Sequence, residues 1–446
     1  MKKLSIPTNK NHRRPGEEGQ VLVLIAVGIV AMMGFAALAL DGGMLYSDRR
    51  HAQNAADTSS LAGATGAATY MRDQNVNYNG FVCGTSDTQA VEAAAEYEAI
   101  TRAATNDYTL DADLSDHHGV SAVCEILDRG SYLDKHFDII THITKETDPN
   151  FAQLVFNGPL RNEVEAVARI YPPAPLAFGH AIVSLNKSNC SGNKYGVIFS
   201  GSSTTTVTGG GVWSNGCLYG NGTSFNVTVH DGSVGYAGQS AGTLTNIHPS
   251  PEYIPHPLPD YASQANEPSC AGLPNRSVPH GGDVTLEPGI YDKIKWTGGA
   301  LTLNPGLYCV SSSKGVEING GELSGDGVTI YLQSGGMTIN GNVEPVDLRA
   351  PEESPDPAPA VAGVLIYMAH GNTETIKITG NSTSFYLGTI YAPDGDLYLS
   401  GSSGTNPTYN TQLIGKNVEV SGGATIDINF MDEENYEKPP YLDLLK

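Results

Sequence analysis

Hydrophobic and polar positions change rhythm twice along this 446-residue chain. The first pattern is an unbroken apolar run, Val21 to Leu40 (VLVLIAVGIVAMMGFAALAL), without a single charge. At about 1.5 Å per residue such a helix is roughly 30 Å long, one hydrocarbon thickness. Beyond it the pattern becomes mixed. The stretch from Leu45 to Tyr70 is rich in alanine and free of proline, so the spanning helix is expected to continue outside the bilayer. Ala90 to Ala104 predicts a second helix that Asn106-Asp107 ends. Glu163 to Tyr171 alternates in the manner of a half-buried strand, and Pro172, Pro173 and Pro175 then break regular structure. Together these predict a small α/β unit.

From residue 294 the pattern becomes periodic. An apolar-x-apolar-(Asn/Thr/Ser)-Gly signature occurs at Ile294–Gly298, Val316–Gly320 and Met337–Gly341, and again at Ile376–Gly380, Leu397–Gly401 and Val418–Gly422. Its second apolar positions are spaced by 22, 21, 39, 21 and 21 residues. About 21 residues supply three short strands with corners between them, which predicts a parallel β-helix whose apolar positions stack inside at roughly 4.8 Å. A β-sandwich, the rival, needs no five-residue signature at a fixed interval. The 39-residue interval is expected to hold about two turns, their register altered by the proline-rich run 350–360. A second set interleaves an apolar residue with an aromatic: Ile290-Tyr291, Leu307-Tyr308, Ile330-Tyr331, Ile366-Tyr367 and Ile390-Tyr391. Residues 192–240 share the composition with a blurred period and are expected to form the first turns. His248 to Pro259 reads as a linker that leaves the stack.

Charge adds direction. Lys2, Lys3, Lys10, Arg13 and Arg14 precede the apolar run, so the positive-inside rule holds residues 1–20 in the cytoplasm and places the rest outside. A cleaved signal peptide, the alternative, has a shorter apolar core, although Ala37-Leu-Ala39 spells a cleavage-like site. The formal net charge of -22 disfavours nucleic acid as a partner. All six cysteines follow the apolar run, and an even count in an oxidising compartment suggests disulfides. Sequence neighbours are the first guess: Cys83 with Cys124, Cys190 with Cys217, Cys270 with Cys309.

The N-terminal residues resemble a family. Gly19 and Gln20, the apolar span, Asp41 and Gly42, then Tyr46, Arg49-Arg50, Gln53, Asn54, Ala55, Ala56 and Asp57, and Leu61, Ala62, Gly63 and Ala64 look like the N-terminal module of Tad-type (Flp) pilus-assembly proteins, the TadE/TadG-like group. The resemblance covers about 45 residues, and it implies a bitopic envelope protein of a tight-adherence pilus or related secretion system. Two family features are absent. No Asp-x-Ser-x-Ser triplet of a von Willebrand-type metal site occurs, and no acidic residue lies within Val21 to Leu40, as prepilin-like processing would require.

Candidate chemistry is thin. Glycoside hydrolysis needs paired carboxylates in a cleft. Asp394 with Asp396, and Asp283 near Glu287, are the candidates, but acidic residues at corners are more often turn formers. His117-His118 diverge on any regular element and read as a solvated loop. No cofactor is expected; if an ion binds, calcium suits the Asp, Asn and carbonyl oxygens best, although the calcium-binding nonapeptide repeat is missing. Regular Thr and Ser positions suggest an ice- or glycan-facing surface, or simply exposed strand residues.

The expectation is therefore an α+β, non-enzymatic, single-pass membrane protein. It comprises a cytoplasmic segment 1–20, a transmembrane helix 21–40 and a helical and small α/β stalk 41–180. A right-handed β-solenoid follows at 181–430, with proline-rich insertions near 248–260 and 350–360, and the acidic tail 431–446 is expected to cap its open end. Its partners would be the membrane, pilus-assembly or envelope proteins and surface glycans. A tethered carbohydrate-active or glycan-binding β-helix protein is the competing class.

Overall fold

The computed structural model describes residues 18–114, 116–151, 158–190, 195–352 and 360–445. The N-terminal basic residues and most of the proline-rich run 350–360 lie outside the described residues. One helix, α1 (Glu18–Asp73), runs unbroken for 56 residues, about 84 Å at the standard rise. Over Val21–Leu40 its large side chains are exposed: Leu22 and Phe35 are each 72% exposed. That span is long and apolar enough to cross a membrane.

The second half of α1 changes character because alanine replaces the large side chains. Ala52, Ala55, Ala56, Ala64 and Ala67 are fully or almost fully buried against α2 (Ser86–Ala104) and against an antiparallel sheet of β1 (Gly119–Asp128), β2 (Leu133–Thr147) and β3 (Leu160–Tyr171). The Thr85 side chain caps α2 by accepting from Thr88 N, and Val91, Ala95, Ala99 and Ala103 form its buried stripe. Small residues let the helices approach closely. A Cβ on Gly63 would lie 2.8 Å from Ile139 Cγ2 and 2.9 Å from the Ala95 carbonyl. At the exposed edge of the sheet, Glu96 and Glu92 of α2 accept from the backbone N–H groups of Ala122 and Cys124. The edge donors of β1 are thereby blunted against pairing with another chain.

The C-terminal strand, Tyr441–Leu444, pairs with β3. The acidic tail therefore completes the stalk sheet instead of capping the stacked strands, because its Tyr441 and Leu442 find apolar partners there.

Most of the remaining chain forms three ladders of parallel strands. Two belong to an 18-stranded sheet and the third is a 10-stranded sheet. The first ladder contains Gly306–Val310, Val328–Leu332 and Val364–Met368. The second contains Ile294–Trp296, Val316–Ile318 and Met337–Ile339. The third contains Ala300–Leu303, Gly321–Gly325 and Val343–Arg349. The signature at the second ladder has a simple cause. Its two apolar residues, such as Val316 and Ile318, point inward and stack on their equivalents, while the residue between them points out. The corner is made by the glycine just past the signature: Gly299 and Gly321, which follow Gly298 and Gly320, sit at φ 82° and 86°, and a Cβ on Gly321 would meet the Gly299 carbonyl at 2.2 Å. One apolar cluster joins all three ladders through residues such as Tyr308, Ile318 and Leu301.

Two expectations need correction, on the long interval and on the segment after His248, and the aromatic set divides. The 39-residue interval holds one turn with an enlarged corner, since Met337 pairs directly with Ile376. The aromatic set does not keep one face. Tyr331, Tyr367 and Tyr391 are aligned on the outside of the first ladder, whereas Tyr308 is a residue out of phase and joins the inner cluster. The segment after His248 does not leave the stack. It runs back along the first ladder, where Leu258, Ala262 and Ala265 are buried. The reason is the row of large side chains beneath it, described below.

The order of the strands is permuted. Chain order and spatial order part company at residue 180: His180–Ser184 pairs with Leu413–Gly422, so the last turn abuts the first. From there the chain winds outward through Gly211–Ser214 and Val234–Tyr236 to Glu252–Tyr253. Residues 254–274 then return along the outside to the far end, and the strands from Asn275 onward wind back to the middle.

Candidate functional site

Two regions of the molecule present ordered functional groups outward: the helix where it leaves the apolar span, and the outer rows of the second and third ladders.

At the exit from the span, Asp41 is only 5% exposed. Its carboxylate accepts from the backbone N–H groups of Asn150 and Phe151 at 2.9 and 3.0 Å, tying the β2–β3 connection to the helix. One turn further, the Leu45 carbonyl accepts from Asn162 Nδ2, and two turns further, Asp48 accepts from Thr147 Oγ1 at 2.6 Å. Gln53 bridges the Asp57 carboxylate and the Glu165 carbonyl, and Ser60 donates to the Ala166 carbonyl. These polar residues clamp helix to sheet at successive levels. Gly63 and Ala64 are buried, with Leu61 and Ala62 at the margin. Gly42, Tyr46, Arg49, Arg50 and Asn54 remain exposed. Gly19 and Gln20 lie in the first turn of α1. The motif thus divides into an inward set that builds the stalk and an outward arc, Tyr46 and Arg49-Arg50, just above the apolar span.

The second ladder shows an open outer row that includes Lys295, Glu317, Thr338, Lys377, Tyr398 and Glu419, in register. Lys295 Nζ and Glu317 pair at 2.6 Å across neighbouring strands, and this contact holds the Glu317 carboxyl below its usual range. The third ladder exposes Thr285, Thr302, Ser324, Asp347, Phe385, Thr408, Asp427, Thr206 and Thr228 in one line. At about 4.8 Å between neighbours, these 10 strands make a hydroxyl-rich face roughly 43 Å long.

The first ladder is covered. Its outer row carries Trp213, Tyr391, Tyr367 and Tyr331, and the returning segment lies on it. Trp213 Nε1 and Leu258 N both donate to Asn215 Oδ1, Tyr367 donates to the Ala265 carbonyl, and Tyr331 donates to Glu267 at 2.5 Å. Burial pushes all three tyrosine phenols well above the usual range, so they act as donors at every physiological pH.

The carboxylates weighed for hydrolysis each accept a hydrogen bond from a neighbouring turn of the ladders. Asp394 accepts from Gly371 N, Asp396 from Asn417 Nδ2, Asp283 from Ala300 N, and Glu287 from Asn304 Nδ2. A Gly238-Gln-Ser-Ala-Gly242 run spells a nucleophile elbow, but it lies in a ladder strand paired with Cys217–Gly220 and lacks the strand-to-helix turn that exposes such a serine. His118 is held by the Thr109 carbonyl and Thr144 N, and His117 stacks on His142. Disulfides join Cys83 to Cys124 within the stalk, Cys190 to Cys217 on neighbouring turns, and Cys270 to Cys309 between the returning segment and the first ladder.

Among solved structures, the Shewanella frigidimarina ice-binding protein_1 DUF3494 domain is similar at 13% identity, covering 53% of this chain and 94% of that one, with a TM-score of 0.21. No curated protein matches the chain. Residues 19–67, the apolar span together with the motif-bearing half of the stalk helix, match the Tad family, Flp pilus-assembly TadE/G-like.

Proposed function

We propose that this protein is a membrane-anchored, extracytoplasmic structural and interaction component of a Tad (Flp)-type pilus assembly or adhesion system, and that it carries no catalytic activity of its own. The observation behind this reading is the family match over residues 19–67, which falls on one continuous helix that is bare and apolar for its first half and clamped into a folded stalk for its second. The basic N-terminal residues favour a cytoplasmic start, with stalk and ladders outside. In this reading the three ladders close into a right-handed β-solenoid. The stalk holds it away from the bilayer, and the rows of the second and third ladders face envelope partners, filament subunits or surface glycans.

The acidic surface suits a protein that must not collapse onto anionic lipid beyond its anchor. The arc of Tyr46 and Arg49-Arg50 lies where partner helices or headgroups would meet the stalk. Electron microscopy of cells with and without the protein, with the ladders immunolabelled on intact cells, tests the proposal. Loss of filaments in its absence, or label along filaments, supports it. Normal filaments with label scattered elsewhere, or label reached only after permeabilisation, overturns it.

A further inference from the structure

On the stalk sheet, Asp134, His136 and Asp138 alternate along β2, so all three project from the same face. Glu125 of β1 is the direct cross-strand partner of His136. The His136 ring is completely buried. Its Nδ1 lies 3.2 Å from Asp134 Oδ1, and Asp134 is itself held by Arg129 at 3.1 Å. A carboxylate only accepts, so Nδ1 donates to Asp134. Nε2 faces two more carboxylates, with Glu125 Oε2 at 3.3 Å and Asp138 Oδ1 at 3.9 Å, and it makes a hydrogen bond to neither. Asp138 is fixed by Arg169, whose Nε and Nη2 donate to its two oxygens at 2.7 Å each.

We propose that Glu125, His136 and Asp138 form a binding site for a divalent transition cation of the zinc class, with Asp134 as the positioning residue. Three observations carry this. The ligand atoms lie within 4.8 Å of one another. A tetrahedral ion with bonds of about 2.0–2.2 Å has ligand-to-ligand edges of about 3.3–3.6 Å; the 3.3 Å from Nε2 to Glu125 matches such an edge, and the 3.9 Å to Asp138 closes by a few tenths of an ångström on binding. The carboxylate–histidine arrangement behind Nε2 is the one that fixes tautomer and ring direction in metal sites. The buried Nε2, aimed between two acids, makes no hydrogen bond, and such an ion would supply its partner. Imidazole argues for zinc over calcium or magnesium, which take oxygen ligands. Water fills the fourth position, reached from the side of Glu125, which is 42% exposed. The ion links β1 to β2 and stiffens the sheet that carries α1. This inference is independent of the pilus reading.

The test uses the full chain in detergent micelles, stripped with a chelator and titrated with zinc chloride, with bound metal measured by elemental analysis. Wild type is expected to take up one equivalent and to gain thermal stability. Glu125→Gln, at the accessible edge, is expected to weaken zinc binding by about tenfold or more, and Asp134→Asn by about 10–100-fold. His136→Gln is expected to abolish it. Cobalt in place of zinc should give visible d–d bands in wild type that E125Q loses. Should H136Q fail to fold, E125Q and the cobalt spectrum decide. Absence of uptake by wild type, or equal uptake by wild type and E125Q, overturns the proposal.

Discussion

Asn186 Nδ2 donates to Asn417 Oδ1 at 2.8 Å, in a buried contact between residues 231 positions apart in the chain. This pair lies at the seam where the last-formed turn of the ladders meets the first. Asn417 also accepts from Gly196 N and donates to Asp396 Oδ1, and Asn186 Oδ1 accepts from Ser188 N. Two amide side chains therefore satisfy backbone and side-chain groups on both sides of the junction. The strands there are held by the ladder hydrogen bonds of Leu413 to Ile182 and Val418 to Val197, which no chain connection enforces.

Asn417→Ala removes one acceptor shared by two donors and one donor to Asp396. Each buried group left without a partner costs about 1–3 kcal/mol. The variant is expected to lose about 2–4 kcal/mol, seen as a lower thermal midpoint in circular dichroism of the detergent-solubilised protein. Asn340→Ala makes a useful control, because it removes only a part-buried amide contact to Asn319 between turns that follow one another in sequence, and it should cost less.

Much of this arrangement was legible in the sequence, and the limits have a physical cause. The apolar span reads directly as helix because nothing but hydrocarbon tolerates Leu22 and Phe35 bare. The apolar-x-apolar pairs such as Val418 and Val420 reveal inward stacking, because parallel strands place like on like. What no local pattern reveals is which turn lies beside which. Ile182 would satisfy Leu413, Ile330 or Ile376 equally well, so the permuted order is invisible to periodicity. The returning segment reads as a linker because Pro249, Pro251 and Pro255 break regular structure. Its hold comes from Leu258, Ala265 and Glu267, which have no repeat to announce them. The Asp134, His136, Asp138 face carried a usable signal, a period of two in polar residues on a strand, but its fourth member, Glu125, is set only by the β1–β2 register.

Close helix approach makes a second prediction. Gly63→Ala introduces a methyl 2.8 Å from Ile139 Cγ2 and 2.9 Å from the Ala95 carbonyl, and the backbone oxygen cannot swing away. Overpacking of this kind costs about 1–3 kcal/mol. Gly42→Ala, on the same helix, meets nothing within 4 Å and should be neutral or slightly stabilising through helix propensity. Comparing thermal midpoints of the two variants separates packing from propensity. Equal shifts would mean that the α1–α2 contact is looser than described.

His180 supplies a pH dependence. It joins the stalk to the first ladder, with Nε2 donating to the Ser131 carbonyl at 3.3 Å and the ring beside Trp213. Burial pushes its pKa down to about 4, against an ordinary 6.5, outweighing the Ser131 contact. A depressed value means that the unfolded chain binds the proton first. The stability is present above about pH 6.5 and is lost as pH falls toward 4, amounting to about 3 kcal/mol over that window. His180→Gln retains a donor for Ser131 but does not titrate. Its thermal midpoint should fall less steeply between pH 6.5 and 4 than that of wild type, and an identical slope would remove His180 from the account.

The Cys270–Cys309 disulfide fastens the returning segment to the first ladder at the end far from where that segment departs. Three contacts share the task along its course: Leu258 N on Asn215, the Ala265 carbonyl under Tyr367, and Glu267 on Tyr331. The disulfide closes a loop with a sequence separation of 39, and on the chain-entropy view such a loop stabilises by about 3–4 kcal/mol. Replacing both cysteines by serine should therefore lower the thermal midpoint. It should also raise amide hydrogen exchange at residues 265–273 while leaving the amides of Val328–Leu332 protected, because those are paired within the ladder on both sides. Tyr331→Phe in the same background removes the bond to Glu267 and should extend the faster exchange toward Leu258. If exchange rises equally in the ladder strands, the segment is part of the core and not a strap laid upon it.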